Sequence, residues 1–218
     1  FPFLCLLVSG GHSQIIIVKS FTDMEIIGTT IDDAAGEAFD KCAKVLGLPY
    51  PGGPHVDRHA KMGNPNTFQF NKPQIPNLDY SFSGLKTSVL YFIQKEVQKN
   101  PHFIAENIDD LCASIQTTII DILLKKLFLA AKQTGITDVV IGGGVAANSG
   151  LRNAIVAAGE AKGWRTFLPE LRYTTDNGAM IGLAAYHKYL AGVFVEQNIT
   201  TRARYSLQEY FAKKERNK

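Results

Sequence analysis

The chain has 218 residues, 45% of them hydrophobic and 20% charged, with a formal net charge of +3. That apolar fraction excludes a disordered chain, and no apolar run reaches the roughly 20 residues of a membrane-spanning helix. The mildly basic balance admits nucleic acid as a partner without requiring it. Three widely spaced cysteines, Cys5, Cys42 and Cys112, with no CxxC, exclude a disulfide framework or zinc ribbon and fit a reduced, cytoplasmic setting.

In chain order, residues 2–8 are apolar on both faces, as a central strand would be. Residues 14–19 are β-branched and read as the second arm of a hairpin, and residues 25–31 as a third strand. The chain starts inside a strand-like run without an initiating Met, so a segment upstream is expected. Asp32 and Asp33 offer an N-cap to a helix over residues 34–46, which Gly47 ends. Pro51-Gly52-Gly53-Pro54 reads as a turn before a short helix over 55–62, and residues 63–80, rich in Pro and Asn, as an irregular loop. Helices follow over 84–99 and 108–134, the second carrying Leu111, Ile115, Ile119, Leu123 and Leu127 at helical spacing. Residues 138–141 form a strand entering Gly142-Gly143-Gly144. A helix over 148–162, a strand near 164–168 and a helix over 176–190 complete an α/β chain without repeats. The basic tail Lys213-Lys214-Glu215-Arg216-Asn217-Lys218 reads as a solvated terminus.

Two glycine-rich turns, Val8-Ser9-Gly10-Gly11-His12-Ser13 and Gly142-Gly143-Gly144, each follow an apolar strand. Without a Cβ, backbone N–H groups approach a phosphate closely, and a helix opening after the second turn favours an anion. Two such turns predict a split nucleotide site. Neither matches GxxxxGK[ST] or GxGxxG. The arrangement is that of actin-like ATPases and sugar kinases, but the hairpin turn lacks their usual Asp, which argues against ordinary ATP hydrolysis.

Asp40 and Asp57 flank the Pro-Gly-Gly segment and could accept hydrogen bonds from ribose hydroxyls, or be solvated helix faces. Asp176, in Thr174-Thr175-Asp176-Asn177-Gly178, is an N-cap or a loop-borne metal ligand. His55 and His59 form an HxxxH that could share one metal, but Val56 stands where a metalloprotease has its Glu. No Ser-His-Asp or Cys-His constellation is present.

The segments LVSGGHSQ, DDAAGEAFDK, LGLPYPGGP, YSFSGLKTSV, GGGVAANSGLR and TTDNGAMIG occur in an order that closely resembles the tRNA threonylcarbamoyladenosine-synthesis enzymes, the TsaD family, formerly called O-sialoglycoprotein endopeptidase or glycoprotease. His12 points to the bacterial or organellar branch. The resemblance implies an actin-like ATPase (ribonuclease H-like) fold, mainly its second lobe over residues 1–175, with residues 176–218 packing on a first lobe. It implies transfer of threonylcarbamoyl from threonylcarbamoyl-AMP to N6 of the adenosine 3′ of the anticodon in tRNAs reading ANN codons. On this likeness Leu7, Val8, Ser9, Gly10 and Gly11 hold the phosphate and acyl portion. Asp40, Gly53 and Asp57 line the nucleoside pocket, and Asn148 holds the acyl-adenylate. Asp176 ligates one divalent metal, iron or zinc, whose other ligands lie upstream, so that residues 1–218 alone would be inactive. The ligand is threonylcarbamoyl-AMP or ATP. The partners are tRNA, a paralogous actin-like subunit of TsaB type and an ATPase subunit of TsaE type, with no membrane. The competing readings are a metal-dependent glycoprotease and a non-catalytic actin-like scaffold.

Overall fold

The computed structural model describes residues 1–200. The basic tail lies outside the described residues. Among the described residues five strands form one sheet: β1 Phe3–Val8, β2 Ser13–Ser20, β3 Asp23–Thr29, β4 Asp138–Gly142 and β5 Arg165–Phe167, in the order β3-β2-β1-β4-β5. β1, β2 and β3 are an antiparallel meander, whereas β4 pairs parallel with β1 and with β5. β1 is therefore the central strand that its two-faced apolar run predicts. Leu4, Leu6 and Val8 are fully buried on one side of it.

Among the described residues six α-helices accompany the sheet: α1 Ala35–Val45, α2 Gly52–Ala60, α3 Ser83–Lys99, α4 Phe103–Thr134, α5 Ser149–Lys162 and α6 Gly178–Leu190. α4 is the spine of the core. Its stripe Leu111, Ile115, Ile119, Leu123 and Leu127 is fully buried, and Gly135, at φ 71°, ends it in the left-handed conformation that glycine adopts without a Cβ clash. α4 begins earlier than the periodicity predicts. A first turn over 103–106 meets the main helix at Asn107, whose φ of −125° breaks the helical path. Residues 63–80 are irregular, as expected, and α4 pins them. The buried Lys126 ammonium donates to the carbonyls of Ile75 at 2.5 Å and Asn77 at 2.6 Å.

Two local expectations are corrected. Neither Asp32 nor Asp33 caps α1: Ala34 holds the cap position, and the first free N–H groups find tertiary acceptors. Ala35 N–H donates to Ser13 Oγ at 2.8 Å and Gly36 N–H to the Ser9 carbonyl at 3.1 Å. Asp32 instead receives Ser81 Oγ, Phe82 N–H and Ser83 Oγ, tying α1 to α3. Likewise the Pro-Gly-Gly-Pro segment is no separate turn. α2 starts at Gly52, and Pro54 sits in its first turn, where a missing N–H costs nothing.

α6 forms as predicted but has no buried residue. Ile181, Leu183, Tyr186 and Tyr189 are all exposed, and the His187 imidazole stacks on Phe21 of the β2–β3 turn. Cys42 and Cys112 are buried free thiols, in keeping with a packing role, and burial pushes each up to about 12. No helix among the described residues is long and apolar enough to cross a membrane.

Candidate nucleotide site

The topology brings the two glycine turns together. β1 and β4 are parallel neighbours, paired as far as Leu7 with Gly142, so both turns leave the same end of the sheet side by side. This is the carboxyl end of parallel strands, where open α/β sheets bind ligands. The approach is close enough to require glycine: a Cβ on Gly143, whose φ is 87°, would sit 2.3 Å from the Val8 carbonyl oxygen. A Cβ on Gly36 would sit 2.7 Å from the Ser9 carbonyl, so α1 is pressed equally tightly against the hairpin turn.

Beside these turns opens a cavity of about 510 Å³, within the range of small-molecule sites. Gly10, Asp40, Gly53, Asp57 and Asn148 all line it. These five come from a hairpin turn, two helices and a helix cap, and only the tertiary fold unites them. Leu7, Val8, Ser9 and Gly11 lie next to it in the strand and turn. Leu7 and Ser9 are half-buried, Val8 is buried beneath, and Gly11 is exposed. Ser9 Oγ accepts the N–H groups of Gly11 at 3.2 Å and His12 at 3.0 Å, so the hydroxyl holds the turn in shape.

The carboxylates are neither idle nor simply solvated. Asp40 Oδ1 accepts the Gly52 N–H at 2.7 Å, capping α2 from α1. Asp57 Oδ1 accepts Ser149 N–H at 3.0 Å and Ser149 Oγ at 2.8 Å, capping α5 from α2. Its Oδ2 lies 3.2 Å from Lys61 Nζ. Asn148 is the α5 cap: its Oδ1 accepts Leu151 N–H at 2.8 Å, while its Nδ2 donates to Gln116 Oε1 at 2.6 Å. Each predicted side chain therefore also braces the wall it stands on. This qualifies the expectation that the second glycine turn opens directly into a helix. A 3₁₀ turn, Gly144–Ala147, intervenes, and the positive end of α5 is already served by Asp57.

Residues the pattern did not single out also line the cavity: Phe39, Pro51, Pro54, Val145, Arg58 and Lys61. For Phe39, Pro54 and Arg58 the one legible signal was their place on the helices of Asp40 and Asp57, whereas Val145 comes from the 3₁₀ turn after the second glycine turn. Gln116, at 7% exposed on the buried side of α4, is a polar residue within the apolar stripe, and its task is to hold Asn148.

The metal expectation finds no cage. Asp176 is exposed and is not among the cavity residues, and the cap of α6 is its neighbour Asn177, whose Oδ1 accepts Met180 N–H at 3.1 Å. No group of three or more His, Cys, Asp or Glu side chains capable of holding a metal occurs among the described residues. The residues present do not by themselves fit a metal ion. His55 and His59 do not converge either: Arg58 donates to His55 Nδ1 at 3.2 Å, and His59 Nδ1 pairs with Asp109 of α4 at 2.6 Å.

Residues 1–183 match the family described as TsaD: tRNA N6-adenosine threonylcarbamoyltransferase. Proteins of that name are 56% identical in Christiangramia forsetii, over 94% of this chain and 60% of the relative, and 58% identical in Riemerella anatipestifer, over 95% of this chain and 61% of the relative. The chain thus spans about 60% of the length of the curated relatives it matches. Among solved structures, full-length HypF in its phosphate- and nucleotide-bound form superposes with a TM-score of 0.65 at 12% identity, over 89% of this chain and 34% of that one. That likeness speaks for the fold, which is the actin-like ATPase type. With the matched segment running unbroken from β1 into α6, the chain belongs to the TsaD family.

Proposed function

We propose that this chain forms the nucleotide-holding part of an acyltransferase that passes threonylcarbamoyl from threonylcarbamoyl-AMP to N6 of the adenosine 3′ of the anticodon in tRNAs reading ANN codons. The observation that carries the reading is the single cavity in which Gly10, Asp40, Gly53, Asp57 and Asn148 meet beside the paired glycine turns. In this reading the Gly10–Gly11 turn, held in shape by Ser9 Oγ, lies against the phosphate and acyl portion, with Leu7, Val8 and Ser9 fixing its direction. Asp40 and Asp57 accept from the ribose, and Gly53 gives the nucleoside room. Asn148 keeps the second turn in register.

The chemistry asked of these residues is orientation. The N6 amine attacks the carbamoyl carbonyl, the bond to the adenylate oxygen breaks, AMP leaves with the electron pair, and the proton lost by N6 passes to the departing phosphate. The leaving group is good, so no enzyme nucleophile is needed, and holding the weak amine in line supplies much of the acceleration. N–H donors at the turn would stabilise the developing negative charge. A metal, iron or zinc, belongs to the reading through Asp176. One exposed carboxylate is too few to hold a divalent ion, so its other ligands come from outside residues 1–200, and no step above runs through it. α6, with its uncovered apolar side chains, packs in this reading on a first lobe. The TsaB-type and TsaE-type subunits are the further partners, in the cytoplasm.

Calorimetric titration tests the pocket: adenosine and AMP bind the chain, and Asp40→Ala weakens both about tenfold, the worth of one hydrogen bond to a charged group. Absence of any nucleoside binding to a folded wild-type chain overturns the reading. A tRNA-modification assay with threonylcarbamoyl-AMP tests the rest. The intact protein turns over, Asp176→Ala does not, and residues 1–218 alone do not.

A further inference from the structure

A reaction on RNA brings a polyanion to the molecule, and the nucleotide cavity has little to offer it. Its two cations, Arg58 and Lys61, are engaged by His55 and Asp57. A second cleft, of about 580 Å³, lies between α1 and α3 and is lined by Asp33, Lys41, Lys44, Ser83 and Lys86, with Val45 and Leu90. Lys41 and Lys44 are three residues apart on α1, as Ser83 and Lys86 are on α3, so each pair shares one helix face.

The charges in this cleft are unevenly matched. Lys41 is held between Asp33 at 2.7 Å and Glu37 at 2.8 Å, which uses up the one carboxylate that lines the cleft. Neither Lys44 nor Lys86 has a hydrogen-bond or ion-pair partner among the described residues. Two uncompensated ammonium groups therefore reach the same concavity from different helices. The cleft also has a position relative to the nucleotide site. Its Asp33 end lies two residues from Ala35 and three from Gly36, whose N–H groups bond Ser13 and Ser9 at the two ends of the hairpin turn. α1 is thus the partition between the two concavities, with Asp40 facing one and Lys41 and Lys44 the other.

We propose that the α1–α3 cleft is a subsite for backbone phosphates of the acceptor RNA, with Lys44 and Lys86 each neutralising one phosphate beside the loop that presents its adenosine to the nucleotide pocket. The proposal rests on the transferase reading above. Lysines on flexible stems suit it: they act as point charges, position a polynucleotide and read no bases.

The test is the salt dependence of binding of a fluorescein-labelled anticodon stem-loop RNA to the intact protein, followed by anisotropy. The variant is Lys44→Gln with Lys86→Gln. A control carrying Lys95→Gln with Lys132→Gln, two exposed lysines outside the cleft, removes the same net charge. Losing two phosphate contacts at ~0.7 each lowers the slope of log Kd against log salt by about 1.4, and weakens binding at low salt about tenfold. Adenosine affinity stays at the wild-type value, and the control keeps the wild-type slope. Parallel slopes for wild type and the cleft variant, or an equal loss in the control, overturn the proposal. If the wild type binds adenosine but not the RNA, the subsite is wrong while the pocket stands. If it binds neither, the transferase reading fails and takes the subsite with it.

Discussion

Two predominantly apolar helices end in opposite environments, and the more apolar of them, α6, is the exposed one. α4 places Leu111, Ile115, Ile119, Leu123 and Leu127 at complete burial under the sheet, and it also carries polar residues that hold other parts of the fold. α6 leaves Met180, Ile181, Leu183, Tyr186, Tyr189 and Leu190 exposed. The difference is one of neighbours, not of hydropathy. α4 meets α1, α2, α3 and α5, whereas α6 has no buried residue and stacks His187 on Phe21. The same kind of side chain stabilises the molecule in one place and presents surface in the other, because the hydrophobic gain depends on area removed from water.

The sharpest way to break this contrast is paired truncation. Leu123→Ala empties part of the core and costs about 2–5 kcal/mol, whereas Leu183→Ala changes stability by less than about 0.5 kcal/mol. Urea denaturation of the chain measures both, and equal losses would mean that α6 is covered after all. A smaller effect tests whether α4 carries the site as well as the core. Gln116→Leu deprives Asn148 Nδ2 of its 2.6 Å acceptor in a buried place and costs about 1–3 kcal/mol. Adenosine binding weakens with it, because the α5 cap loosens. An adenosine affinity equal to wild type would separate the core from the pocket.

Asp57→Ala removes the acceptor of Ser149 N–H and Oγ and costs about 1–2 kcal/mol, the usual worth of a helix cap. Asp57→Asn restores much of the stability, since an amide oxygen still accepts, but not the ion pair with Lys61. The smallest effect is on acid stability. Burial works to raise the Asp32 carboxyl, but bonds from Ser81, Phe82 and Ser83 outweigh it and hold the group below its ordinary value. A depressed carboxyl contributes stability that is fully present above its unfolded value, about 3.9. That contribution is lost as pH falls through the lower native value. The urea midpoint therefore drops in that acid range, and Asp32→Asn flattens the drop; an unchanged profile in Asp32→Asn would remove Asp32 from the account.

The two-faced apolar run of β1 and the helical spacing of α4 were plain in the sequence, because such patterns record which faces are buried whatever the partner. The glycine turns were legible for a similar reason: a missing Cβ is a local signal of close approach. Asp40, Gly53, Asp57 and Asn148 could be picked out as polar or glycine positions in ordered motifs, and the cavity now holds them together with Gly10. Tertiary structure alone decided what those side chains do. Asp32 looks like a cap for α1 and instead anchors α3, while Asp40 and Asp57 cap helices that are not their own. An acceptor's partner depends on which N–H group the fold brings within 3 Å of it, and that distance is written in no single segment. Nor does hydropathy say which of two apolar helices is covered; that depends on what packs over them.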